Sequence, residues 1–170
     1  MRYGTTRAYI YSSSQIADWI IGQEKLNGIM TLTRARAYRA TSTQAIPDAT
    51  DTKVQFNAET FDPTAMFDST TNYRLTVLAG FDGYFLIHAQ LKFGIPAAAS
   101  VFNISIWKNG ALWSGAALTQ AASGTNPTPQ ITDLLYLATA DYIEIWTWVS
   151  PAASIVAGEG ASFVDFIRIF

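Results

Sequence analysis

The sequence predicts an all-β, antiparallel sandwich. Short runs of alternating apolar and polar residues recur from Arg34 onward, with turn signals between them. Lys108-Asn109-Gly110 supplies the Asn-Gly pair that closes a two-residue hairpin, because both central positions of that turn need positive φ. Two further runs near the end, 141–149 and 162–170, have strand periodicity but are apolar on both faces.

Residues 1–33 read differently from the rest. Ser12, Ser13 and Ser14 offer N-caps, Ile16, Trp19 and Ile20 fall at helical spacing, and Gly22 would stop the helix. A helix of about two turns does not hold alone, so it needs a surface to dock on. The expectation is an anchoring arm over 1–33, with Tyr9, Tyr11, Ile16, Trp19 and Ile20 as its gripping residues. After it, 34–39 (Arg-Ala-Arg-Ala-Tyr-Arg) and 52–56 (Thr-Lys-Val-Gln-Phe) alternate, and a long loop marked by Pro63 leads to a strand at 73–77. The cleanest alternation is 84–93. Phe85, Ile87, Ala89, Leu91 and Phe93 share one face, and Tyr84, Leu86, His88, Gln90 and Lys92 the other. The strand at 101–107 puts Phe102, Ile104 and Ile106 inward, and 111–118 returns from the Asn-Gly turn. A loop with Pro127 and Pro129 then precedes a strand at 131–137. No repeat or linker divides 34–170, which suits one domain.

The two-faced runs point to assembly. Ile143, Ile145 and Val149 oppose Tyr142, Trp146 and Trp148; Phe163, Ile167 and Ile169 oppose Val164, Phe166 and Phe170. An antiparallel sheet in a lone soluble domain keeps one face polar. One apolar face fills the core; the other is expected to meet a second copy of the chain. Composition agrees: 14% of residues are charged and 49% hydrophobic, against roughly 25% charged in an ordinary domain. The net charge of -2 argues against a nucleic-acid partner, which calls for a basic surface. The chain has no cysteine, so neither disulfides nor a thiolate metal site enter. The first residues carry positive charge without an apolar stretch behind them, so no signal peptide is expected. No run reaches the roughly 20 apolar residues of a membrane helix.

No catalytic constellation is legible. The single histidine, His88, sits mid-strand, and no Gly-x-Ser-x-Gly elbow accompanies it. A packing or hydrogen-bonding role is expected. Asp48, Asp51, Asp62 and Asp68 lie in turns and loops, where aspartates cap backbone N–H groups, and no calcium-loop ligand run appears. Gly158-Glu159-Gly160 lacks the helix a phosphate loop needs. Arg34, Arg36 and Arg39 are expected to face solvent or pair with acids. The chain is therefore expected to be no enzyme and to hold no cofactor or metal.

Four stretches in order resemble the TNF-like jelly roll found in complement globular heads and in phage virion proteins. They are 34–39 with Ile46-Pro47 and Val54-Gln55-Phe56; Leu75-Thr76 leading to Gly83-Tyr84-Phe85-Leu86-Ile87; Ile106-Trp107-Lys108-Asn109-Gly110; and 140–145 with Ser162-Phe163 and the aromatic end. Ala79-Gly80-Phe81-Asp82 departs from the pattern by making the turn before Gly83 a residue or two longer. The resemblance implies a jelly-roll sandwich over 34–170 and a homotrimer packed around a three-fold axis through an aromatic-rich sheet. Tyr84, Leu86, Tyr142, Trp146, Trp148, Phe166 and Phe170 are the residues expected at that seam. It further implies a phage virion protein, a trimeric capsid decoration or head-fibre type assembled in the host cytoplasm. Its arm would dock on the major capsid protein or another virion protein. The alternative is a tail or fibre module that binds a host-surface glycan or protein, through loops 57–72 and 120–130.

Overall fold

The strand periodicity read from the sequence is realised in thirteen strands among the described residues, connected in an order that brings distant segments side by side. The computed structural model describes residues 33–120 and 124–169. The expected arm, with Tyr9, Tyr11, Ile16, Trp19 and Ile20, lies outside the described residues, as does Phe170. The strands are β1 (Arg34–Tyr38), β2 (Gln44–Ile46), β3 (Thr52–Lys53), β4 (Ala58–Phe61), β5 (Phe67–Asp68), β6 (Arg74–Thr76) and β7 (Gly83–Gln90). They continue with β8 (Ser100–Lys108), β9 (Ala111–Gln120), β10 (Gln130–Leu137), β11 (Tyr142–Ser150), β12 (Ala153–Ile155) and β13 (Phe163–Arg168).

One sheet runs β10-β7-β13-β1-β4, and the second β5-β6-β11-β8-β9, with β3 also paired to β11; β12 and β2 form a small ribbon. All these strand pairs are antiparallel. The inner faces interdigitate in one core. Phe85, Ile87, Ala89, Val164 and Phe166 of the first sheet meet Phe102, Ile104, Ile106, Ile143, Ile145 and Val149 of the second, all of them buried. Phe67 lies 6.0 Å from Phe166, and Phe93 4.8 Å from Phe102, ring centre to ring centre. Each such side chain contributes about 1.5–3 kcal/mol by leaving water. Thr147 also points inward, and its hydroxyl donates to the Asn103 carbonyl, so the core holds no unpaired group there.

The turn chemistry accounts for the connections. Asn109 and Gly110 have φ of 53° and 78°, the double positive φ of the expected hairpin. Gly80 has φ of 85°, and Phe81 N–H donates to Leu78 O at 3.1 Å. The extra length before β7 is thus a tight turn that needs glycine at its third position.

The strands expected at 34–39, 84–93, 101–107, 111–118, 131–137 and 141–149 are present as β1, β7, β8, β9, β10 and β11. The run 52–56 is only partly a strand, although Val54 and Phe56 stay buried. The long loop after it contains β4 and β5. The last two runs do not pair with each other: β11 lies in the second sheet and β13 in the first. Their outer sides therefore point away from one another.

Candidate interaction surfaces

The outer face of the first sheet is graded along the strands. Cross-strand register sets Tyr136 against Tyr84, with Ile169 bonded to the same strand through its N–H to Tyr84 O at 2.8 Å. The next row joins Leu134, Leu86 and Ile167 and ends on β1 at Arg34, whose guanidinium lies 5.1 Å over the Phe61 ring. The third joins Thr132, His88, Asp165 and Arg36, and the fourth Gln130, Gln90, Phe163 and Tyr38. Apart from Arg34 the first two rows are apolar and open: Leu134 is 50% exposed, Tyr136 48%, Ile169 46%, Tyr84 42% and Ile167 38%. The Tyr84 and Tyr136 rings meet edge-on at 5.5 Å.

The third row is held by charge. Arg36 forks onto both Asp165 oxygens at 3.0 Å and lies 3.9 Å over the Phe163 ring. His88 Nδ1 is 2.9 Å from Thr132 Oγ1, the hydrogen-bonding role expected of it. Burial pushes the Asp165 carboxyl above its usual range, against the pull of Arg36 and His88.

The outer face of the second sheet is aromatic in a different way. The Trp107 and Trp146 rings stack at 4.5 Å with 21° between planes. Trp146 Nε1 donates to Glu144 Oε2 at 3.1 Å, and Lys53 Nζ closes on Glu144 Oε1 at 2.9 Å. Trp107 Nε1 donates to Ser105 Oγ at 3.1 Å. Arg74 sits 4.1 Å over the Tyr142 ring. Beside Trp107 a groove of about 200 Å³ opens towards Trp148.

These positions redistribute the residues expected at one seam. Tyr84 and Leu86 lie on the outer face of the first sheet. Tyr142, Trp146 and Trp148 lie on the outer face of the second, so the two sets do not share one face. Phe166 belongs to neither, being 1% exposed in the core. On β13 the alternation sends Val164 and Phe166 inward and Phe163 and Ile167 outward, so Ile167 and Ile169, not Phe166, reach the surface. Leu134 and Tyr136 share that outer face, and the alternation of 131–137 separates them from Ile131, Leu135 and Leu137.

The loop carboxylates serve the fold. Asp62 accepts from Phe67 N–H at 2.7 Å. Asp68 accepts from the N–H groups of Thr70, Thr71 and Asn72. Backbone donation by Thr71 and Thr70 holds Asp68 well below the usual carboxylate range. These contacts use the polar groups of the 57–72 loop expected to meet a receptor; of the other loop, 121–123 lie outside the described residues. A larger groove of about 650 Å³ at the end of the sandwich is lined by Ile46, Pro47, Ile95, Pro96 and Pro151 among others. It carries no charged side chain to orient a ligand.

The architecture is a TNF-like jelly roll, as the order of motifs implied. The structure resembles Eiger TNF from S. frugiperda at 11% identity and TM-score 0.62, over 82% of this chain and 93% of that one. It also resembles murine APRIL at pH 5.0, at 11% identity and TM-score 0.60, over 82% of this chain and all of that one. A second form of murine APRIL, at pH 8.0, gives 13% identity and TM-score 0.58 over the same shares. At such identities the likeness is one of fold. No family model matches the chain, and no curated protein matches it in sequence.

Proposed function

We propose that this chain is a structural assembly module: a homotrimer formed through the Tyr84, Leu86, Leu134, Tyr136, Ile167 and Ile169 face. In this reading it is a phage virion protein of the capsid-decoration or head-fibre type, fixed to a capsid or other virion protein by residues 1–33. The observation that carries the assembly is the two-row apolar patch, open to water on an otherwise well-satisfied sheet. Contiguous patches of this kind mark interaction sites. Burying each side chain is worth up to about 1.5–3 kcal/mol, so the patch as a whole offsets the roughly 4–15 kcal/mol lost on association. A closed three-fold ring repeats one head-to-tail contact, and residues of this face on all three copies meet where it borders the axis. The virion role draws on the motif resemblance and the low charge content.

Light scattering of the purified chain tests the assembly. Three times the 18.6 kDa chain mass is expected, and a monomer at all concentrations overturns it. Deleting residues 1–33 tests the anchor: the shortened trimer is expected to stay off the particle, and normal incorporation removes the arm from that role. A second reading, recognition of a host-surface glycan, is favoured by the tryptophan groove. The two are compatible because patch and groove lie on opposite sheets.

A further inference from the structure

Two bulky side chains bracket the 200 Å³ groove on the second sheet. Cross-strand register puts Trp107 beside Leu112 at one end and Trp148 beside Asn103 at the other. Trp107 and Asn103 are four residues apart on β8, about 13 Å along an extended strand. Between them, Ser105 faces Gly115 across the β8–β9 ladder. A Cβ built on Gly115 would sit 3.8 Å from Asn103 Nδ2 and 3.8 Å from Ser105 Cβ. The groove thus has its floor where a side chain is missing.

The Trp107 wall is set before any ligand arrives. The Trp107 ring is fixed by its bond to Ser105 Oγ and by its stack on Trp146. Trp146 is fixed in turn by Glu144 and Lys53. A side chain already ordered loses little conformational entropy on binding. The polar groups at the rim are unspent. The Asn103 amide, the Trp148 indole N–H and the Asp51 carboxylate, which also lines the groove, make no hydrogen bond to the described residues. They offer donors and acceptors together. Most other carboxylates of this face and its turns, among them Glu144 and Asp141, are already bonded.

We propose that this groove binds a neutral pyranose ring, as one residue of a glycan. The shape suits one ring: drug-sized ligands need about 300–1,000 Å³. The chemistry suits a sugar rather than an apolar ligand. An indole face carries negative charge density that attracts the polarised C–H bonds on one side of a pyranose. A carboxylate, an amide and an indole N–H meet its hydroxyls. The lining carries no cation, and Asp51 repels an anionic sugar, so sialic and uronic acids are excluded. The inference rests on the recognition reading and not on the trimer, since the groove faces away from the Tyr84–Leu86 patch.

Titrating the full chain with the methyl glycosides of glucose, galactose, mannose and N-acetylglucosamine, followed by tryptophan fluorescence and by proton NMR saturation transfer, tests it. One or more of them is expected to bind saturably in the millimolar range. Gly115→Leu fills the floor without disturbing a positive-φ position, and it is expected to weaken binding at least about tenfold while the fold and oligomer remain. Trp148→Ala is expected to do the same, and Asp51→Asn to weaken binding a few-fold. Trp113→Ala, whose indole reaches Asp133 outside the groove, is expected to leave binding unchanged and serves as control. The proposal is overturned if none of the four glycosides saturates, or if binding survives Gly115→Leu. Preference for methyl glucuronide over methyl glucoside overturns it equally, and so does recognition of a tryptophan-rich peptide in place of a sugar. Trimer formation is read separately by light scattering, so loss of one reading leaves the other standing.

Discussion

The two outer faces of the sandwich are both rich in aromatic residues, yet they are organised in opposite ways. On the first sheet the large side chains at the Tyr84 end stand half open to water, and the Arg36–Asp165 ion pair lies two rows away. On the second sheet Trp146 and Trp107 are tied down by the Lys53–Glu144 pair and by Ser105. The first arrangement suits a surface that is completed by another copy. The second holds one pair of rings in place and leaves beside them a recess with unspent polar groups at its rim. Aromatic content alone does not distinguish an interface from a binding face; exposure and the local relief of the surface do.

The sharpest way to break the comparison is a charge in the open patch. Leu86→Asp is expected to convert the trimer to monomer by light scattering with the circular dichroism spectrum retained, because three desolvated carboxylates would meet near one axis. The matching change on the other face, Trp146→Ala, is expected to leave the oligomer intact. Next in size is Phe166→Ala. It removes a core ring and is expected to cost about 3–5 kcal/mol in chemical denaturation; a selective loss of trimer with unchanged stability would return Phe166 to the seam. Lys53→Met strands the mostly buried Glu144 with only Trp146 as partner. It is expected to cost about 1–3 kcal/mol, reduced by the partial exposure of Lys53, and to loosen the Trp107–Trp146 stack in the near-ultraviolet spectrum.

The smallest effects are in acid titration, and they run in opposite directions. Desolvation raises Asp141, but hydrogen bonds from Asn109, Lys108 and Ala138 outweigh it and leave its carboxyl depressed. Its stabilisation is complete above the unfolded value of about 3.9 and is lost as pH falls through the lower folded value. Asp165 is raised by burial. Its ionisation therefore costs stability as pH climbs from the unfolded value through the folded one. Carboxyl carbon NMR titration is expected to place Asp165 above Asp141; the reverse order would mean that the first sheet's polar row is better hydrated than its geometry implies.

Much of the fold was legible because strand alternation and turn chemistry are local. The 84–93 alternation, the inward Phe102, Ile104 and Ile106, and the Asn109-Gly110 turn all stand where the residues put them. Short strands such as β2, β5 and β12 were not legible, since they are held by partners far along the chain rather than by their own pattern. The site was only half legible for a related reason. Alternation divides the residues of a strand between two sides, but it does not tell which side faces the core or which sheet the strand joins. That is why Phe166 was expected outside and Trp146 was grouped with Tyr84. The groove depends on the register of Ser105 against Gly115, a pairing that appears only when β9 is laid against β8 with a bulge at Trp107.

β1 and β13 are neighbours, and Arg168 N–H donates to Thr33 O at 2.8 Å. The first and last described strands thus leave the domain at the same spot. A circularly permuted gene that joins 169 to 33 by a short linker and opens the chain within 94–99, at the opposite end of the sandwich, would keep every strand pairing. It would also move the exit points of the polypeptide to the far pole, a route to displaying cargo there without touching either broad face.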